Sequence, residues 1–326
     1  MKIFKAVFIC VILLSLALFV KATDMHQVIR LVDHIGFNFL ALIFITFTAY
    51  FFATLGWKYC MGKQGEKLPV LDLFLIRHIG EMVSIINPAS VIGGEAVKLY
   101  LLQNKGIEKT TLTASILIAR VMMMVTQLLL LLLTLIFLLL NGTSFRYSIP
   151  SNPPAYIGLL LLLLSLIIFL RSNSSLKNRF KNSWAGRYLA KLTDKLQLKQ
   201  VFKEFGFFFK TDKKRLLLCT FFFSLHWIAG SLEIYFILKF MDIDSNVLKV
   251  LFADMGIIVF KAAGAFVPGQ IGVEELGNKV MLDIIGLRSP QIWITVSILR
   301  RLRQLFWLFF GLAAYLIAFK KLKPGI

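Results

Sequence analysis

The chain has 326 residues, 58% of them hydrophobic and 17% charged, with a mean hydropathy of +0.78 and a formal net charge of +20. The core of a soluble domain of this length cannot absorb that much apolar surface, which excludes a water-soluble enzyme or binding module. The positive excess is what basic cytoplasmic loops give a membrane protein, and nucleic-acid binding is not expected.

In chain order, Lys2 and Lys5 precede the apolar run Ala6 to Val20, a pattern shared with signal peptides, and Val20-Lys21-Ala22 would serve as a cleavage site. Because further spans follow directly, the run reads as an uncleaved first span over 4–20. Spans follow at 37–56, 110–140, 155–170 and beyond, 216–240 and 291–319, giving about six full transmembrane helices. Apolar runs such as Leu128 to Leu140 and Leu159 to Leu170, with their flanks, approach the roughly 20 residues that cross the hydrocarbon. Two further apolar stretches, 69–92 and 248–272, are interrupted, the first by Pro88, Gly93 and Gly94, the second by Gly264, Pro268, Gly269 and Gly272. Proline removes a backbone donor and glycine weakens a helix, so both stretches predict broken helices.

Lysine and arginine set the orientation. Segment 171–215 holds 13 of them against three acids, which places it in the cytoplasm. Both termini, the 57–67 loop with Lys58, Lys63 and Lys67, and the 98–109 stretch with Lys98, Lys105 and Lys109 are also basic, and are assigned to the same side. The first interrupted stretch then leaves the cytoplasm near Lys67 and returns by Lys98. The second begins and ends outside, near Asp242 and Arg288. Both are expected to be re-entrant hairpins, from opposite faces, around a wet cavity. The predicted fold is an all-α integral membrane protein with cytoplasmic termini, one polytopic domain over 1–326.

The two hairpins resemble each other. Ile92-Gly93-Gly94-Glu95 precedes Gly106 and Arg120; Ile271-Gly272-Val273-Glu274 precedes Gly286 and Arg300, and the Gly-to-Arg interval is 14 residues in both. Together with the charge-derived topology this predicts an inverted repeat with halves at about 69–140 and 248–319 and discontinuous helices meeting near the midplane, as in many transporters. Glycines that only permit close helix packing are the simpler alternative.

An ionised side chain at mid-membrane costs roughly 2.5–3.5 kcal/mol on insertion scales, so each must be paired, wet or near an interface. Arg77, His78, Glu81, Glu95, Arg120, His226, Glu233, Asp254, Lys261, Glu274, Glu275, Arg300, Arg301 and Arg303 are the candidates. Arg120 with Gln127 makes one polar stripe, and Arg300, Arg303 and Gln304 make another. Guanidinium groups clamp phosphate by two-point contact, which suits a lipid head group. The same arginines could instead be structural locks, Arg120 with Glu95 or Glu81 and Arg300 with Glu274 or Glu275, and a transporter could exchange between the two uses. Asp254 and Lys261, seven apart on one helical face, could pair at a distance or bridge through water; His226 and Glu233, also seven apart, read as polar contact between helices; all four could instead form a proton relay. Trp184, Tyr188, Leu192, Leu196, Val201, Phe205 and Phe209 recur at helical spacing among lysines, as in an amphipathic helix on an anionic leaflet or a solvated linker. Cys10, Cys60 and Cys219 have no disulfide or metal spacing and read as inert. No HExxH, GxSxG, P-loop or dinucleotide motif occurs, so no metal or cofactor is expected.

Pro88 with Gly93-Gly94-Glu95 and Tyr100, then Gly106 and Ala119-Arg120, and later Val267-Pro268-Gly269-Gln270-Ile271-Gly272-Val273-Glu274-Glu275, resemble the two hallmark stretches of the flippase-like domain family. This is the membrane part of bacterial lysylphosphatidylglycerol synthetases, also found as stand-alone proteins. The resemblance covers nearly the whole chain and implies an inner-membrane protein that moves a polar-headed lipid between leaflets. Val273 stands where the family often has Arg, so either Glu274 or Glu275 is the equivalent acid. Lysine transfer from tRNA is not carried over, since no aminoacyltransferase stretch is present.

Three functions follow as expectations. The first is a lipid flippase in which Arg120 and Arg300, with Gln127 and Arg303, hold an anionic head group while Glu95, Glu274 and Glu275 compete for the arginines; Pro88, Gly93, Gly94, Pro268, Gly269 and Gly272 supply the breaks. The second is an intramembrane enzyme using Glu274, Glu275 and His226 on a lipid-linked substrate. The third is a scaffold for a neighbouring lipid-modifying or glycosyltransferase enzyme.

Overall fold

A computed structural model of the chain describes residues 35–86, 90–103, 107–141, 198–264, 270 and 272–321. The expected spans at 4–20 and 155–170, the candidate cleavage site, most of the basic segment and the prolines Pro88 and Pro268 with Gly269 lie outside these residues. Among the described residues the secondary structure is helical, with no strand.

Ten helices are described: α1 (Asn38–Cys60), α2 (Gly62–Glu66), α3 (Val70–Ile86), α4 (Ser90–Gln103), α5 (Lys109–Leu140), α6 (Leu198–Thr211), α7 (Lys213–Phe240), α8 (Val247–Ala263), α9 (Val273–Ile284) and α10 (Pro290–Lys321). The spans expected at 37–56, 110–140, 216–240 and 291–319 correspond to α1, α5, α7 and α10. Of these, α1, α5 and α7 are long and apolar enough to cross a membrane. Helix α10 has the length, 32 residues, but carries Arg300, Arg301 and Arg303 in its middle turns.

Helix starts are set by side-chain acceptors where the sequence supplies them. Asp212 accepts from the Arg215 amide at 3.3 Å to begin α7, and Asn246 accepts from the Leu248 amide at 2.8 Å to begin α8. Gly272 takes φ +82°, open only to glycine at little strain, and its amide donates to the Glu275 carboxylate at 2.8 Å as α9 begins.

Each of the two interrupted stretches contributes a pair of helices packed on each other, α3 with α4 and α8 with α9. In the first, Gly94 of α4 lies on the Gly80 carbonyl and Ser84 of α3, so a Cβ at either glycine would collide with its neighbour. In the second, α8 and α9 pack antiparallel through Gly256 on Met281, Phe260 on Gly277 and Gly264 on Val273. Small residues let helices approach closely where apolar solvent gives no hydrophobic drive to associate.

Two hydrophobic cores mark the two ends of the bundle. One gathers Trp57 from the end of α1, Leu73 from the start of α3, Leu102 from the end of α4, Leu112 from the start of α5 and Phe223 from α7. The other gathers Leu42 from the start of α1, Leu138 from the end of α5, Leu238 from the end of α7, Val250 of α8, Ile285 beyond α9 and Val296 of α10. The α3–α4 hairpin therefore opens at the first end and the α8–α9 hairpin at the other. The long helices that follow them, α5 and α10, run in opposite directions. The broken ends converge on the middle of α10, where Gly311 lies against His78 and Met82 of α3 while Gln304 donates to Glu274 of α9 at 2.7 Å.

Helix α6 contains Val201, Phe205 and Phe209 of the expected amphipathic stripe; the part from Trp184 to Leu196 lies outside the described residues. Phe205 and Phe209 are partly buried, Phe208 is buried against α5, and Phe207 points out.

Candidate functional site

Charged side chains inside the bundle collect into two clusters, one per hairpin. The first joins α3, α4 and α5. Arg120 donates through Nε to Glu95 Oε1 at 2.8 Å and makes a second, shorter contact through Nη2. Lys98 Nζ sits between two acids, 3.3 Å from Glu95 and 3.4 Å from Glu81. Lys98 belongs by sequence to a basic loop, yet the structure makes it part of α4 and leaves it 6% exposed. A cavity of about 30 Å³, room for a water or two, lies among Trp57, Arg77, Glu81, Glu95, Lys98 and Arg120. Three cations (Arg77, Lys98, Arg120) face two carboxylates (Glu81, Glu95) there, an excess of one positive charge among the described residues. Arg120 keeps 38% of its side chain exposed.

The second cluster joins α7, α8, α9 and α10 and is closed. Arg300 Nη2 donates to Asp254 at 2.9 Å, and its Nε lies 3.4 Å from Glu233 and 3.5 Å from Glu274. Arg303 Nε donates to Glu233 at 2.6 Å, and Lys261 Nζ lies 3.2 Å from Glu274. Three cations (Lys261, Arg300, Arg303) balance three carboxylates (Glu233, Asp254, Glu274), and apart from Lys261 none has more than 7% of its side chain exposed. Asn278, bonded to Ser297 at 2.8 Å, lies 3.4 Å from Arg300. Arg301 and Glu275 form a separate pair at 2.5 Å, next to the Gly272 turn.

The structure thus resolves several sequence-level alternatives geometrically. Arg120 pairs with Glu95. Arg300 takes Asp254 as its hydrogen-bonded acceptor. Glu274 lies in the closed cluster, whereas Glu275 caps α9 and holds Arg301. Asp254 and Lys261 contact Arg300 and Glu274 rather than each other. Among the four candidates for a relay, Glu233, Asp254 and Lys261 share the second cluster, while His226 bonds through Nδ1 to the Ala49 carbonyl at 2.9 Å. Gln127 donates to the Met255 carbonyl at 3.2 Å, tying α5 to α8. Gly93 and Gly94 lie in the second turn of α4, with Gly94 at the α3 contact.

Tyr50 of α1 joins the clusters. Its hydroxyl accepts from Arg303 Nη1 at 2.6 Å, and the Arg77 guanidinium lies 4.8 Å above its ring. His78 and Trp307 stand edge-on to the same ring at 5.3 and 5.1 Å. Tyr50 and Trp57 gave no sequence signal, because an aromatic in an apolar span reads as lipid-facing or core. No group of three or more potential metal ligands occurs among the described residues.

Long apolar helices packed around buried ion clusters define a multi-pass membrane protein. A family model for the lysylphosphatidylglycerol synthase transmembrane region matches residues 3–313, and the chain belongs to that family. No curated protein and no solved structure matches it. Membership gives the chain a membrane role connected with lipids.

Proposed function

We propose that the protein is a lipid flippase that carries a polar-headed, anionic or lipid-linked substrate between leaflets of the bacterial cytoplasmic membrane, with both termini in the cytoplasm. The α3–α4 and α8–α9 units act as re-entrant hairpins of an inverted repeat, and the head group is taken at Arg120. The observation that carries this reading is the difference in closure between the clusters. The one at Arg120 has a cavity, a partly exposed arginine side chain and an unbalanced positive charge among the described residues. Unbalanced charge in a low-dielectric interior attracts an anion. Glu95 occupies the Arg120 fork and is exchanged for the phosphate of an arriving lipid. Arg300, Arg303 and Glu274 then hold the second hairpin against α10, and Glu233, Asp254 and Lys261 are available to a proton-coupled step.

In liposomes carrying fluorescent anionic lipid on both leaflets, the purified protein should speed the loss of protection from an impermeant quencher. Arg120→Ala should abolish the effect while the protein still inserts and remains monodisperse in detergent. Undiminished transport by that variant would rule out the Arg120 clamp.

One observation favours a second reading, a scaffold for a lipid-modifying or glycosyltransferase enzyme. The cavity of about 30 Å³ is smaller than a phosphate-bearing head group, so transport requires the first cluster to open. A scaffold needs no opening, and predicts copurification with an enzyme and no change in lipid sidedness.

A further inference from the structure

The wall of the first cavity includes two residues whose buried donors no described residue accepts. Trp57 Nε1 and Arg77 Nη1 have no hydrogen-bond partner among the described residues, though their side chains line the same cavity and are only 5% and 8% exposed as residues. Other indole donors near the bundle centre are satisfied: Trp227 Nε1 donates to the Met123 carbonyl at 3.0 Å and Trp307 Nε1 to Thr46 at 2.9 Å. A buried donor left unpaired costs about 1–3 kcal/mol, more for a charged group. Two such donors on one cavity, beside an excess positive charge, favour an anionic acceptor over the water that the cavity also has room for. A carboxylate from the protein does not fill the role, because Glu95 is engaged by Arg120 and Lys98, and Glu81 lies by Lys98.

Resting on the head-group reading above, we propose that Trp57 and Arg77 form an oxyanion seat for one oxygen of a phosphate, the inner half of a site whose outer half is Arg120. The cavity volume of about 30 Å³ fits one oxygen and not a whole phosphate, so the closed structure holds the seat ready while the Arg120–Glu95 pair covers its mouth. Both donors are fixed before the ligand arrives. Arg77 is clamped on the Tyr50 ring at 4.8 Å, and Trp57 is fixed in the α1–α7 core. The net charge of one at the cluster matches a singly charged phosphodiester better than a doubly charged monoester.

The test is binding, separate from transport. Thermal stabilisation of the purified protein in an uncharged detergent is titrated with inorganic phosphate, with glycerol phosphate and with a short-chain phosphatidylglycerol, against chloride at equal ionic strength. All phosphates should stabilise the protein, and a short-chain lipid that binds more tightly than free phosphate identifies the lipid as the source. Trp57→Phe and Arg77→Gln should each weaken binding ten- to a hundredfold, the loss of one hydrogen bond to a charged group. Glu81→Gln, which removes an opposing charge, should tighten it, and a gain cannot come from misfolding. Equal binding by all three variants and the wild type overturns the seat, as does absence of binding by every phosphate. Lipid transport that persists undiminished in Trp57→Phe refutes the seat and leaves the flippase reading standing; phosphate binding without transport does the reverse.

Discussion

The two hairpin-and-helix units use similar residues for different ends. The α3–α4–α5 unit has two arginines, a lysine and two glutamates around a small cavity, one positive charge in excess among the described residues, whereas the α8–α9–α10 unit has a balanced set that is buried except at Lys261. Similar sequence motifs, Gly-x-Glu followed by a distant Arg, stand behind both. The difference arises from neighbours: among the described residues Asp254 of α8 and Glu233 of α7 pair with Arg300 and Arg303, and Glu95 is the one acid in direct contact with Arg120. The motif therefore brings an arginine to each helix pair, and the count of acids around it decides how much positive charge is left uncompensated there.

The largest expected effect breaks the lock. Arg300→Ala leaves Asp254 without its partner in a buried site, and loss of one member of a buried pair costs about 3–5 kcal/mol. The variant should fail to accumulate as a monodisperse species, whereas Arg120→Ala should accumulate normally; equal yields of the two by size-exclusion chromatography would erase the distinction between the units. A smaller effect tests the link between them. Tyr50→Phe retains the ring under Arg77 and removes the acceptor of Arg303 Nη1, which should lower thermal stability by about 1–2 kcal/mol; a change within error means that the hydroxyl carries nothing. The smallest is Gln127→Leu, which removes an interhelical hydrogen bond from α5 to the Met255 carbonyl, worth about 0.6 kcal/mol on average in membrane bundles. A loss well above that would give α5–α8 contact a larger part in holding the units together.

Much of the helix pattern was legible in the sequence because long apolar runs and their breaks are governed by local rules. The positions of α1, α5, α7 and α10 and the presence of a helix pair in each interrupted stretch followed from hydropathy, although Gly93 and Gly94, expected to interrupt the first, lie within α4. The pairings were less legible. Arg120 with Glu95 was one of two options, and Glu274 could not be told from Glu275, although they prove to face different partners. Lys98 reads from sequence as one of a run of loop lysines, but it lies inside α4, where α3 brings Glu81 across to it. Trp57 and Tyr50 carried no periodic or compositional signal; only the tertiary packing shows that one faces a cavity and the other lies between two guanidinium groups. The resemblance to the flippase-like family fixed the class, and the family match agrees with it.

The balance of the second cluster has an electrical consequence. A group whose charges sum to zero performs no net work when it shifts as a unit through the transmembrane potential, whereas one elementary charge carried across 100 mV exchanges about 2.3 kcal/mol. A movement of the second unit in the proposed transport would therefore not sense voltage through these charges. Of the two clusters, the first, with its single uncompensated charge, is the one whose movement would sense the potential, and in the proposed transport a bound monovalent anion would cancel that charge.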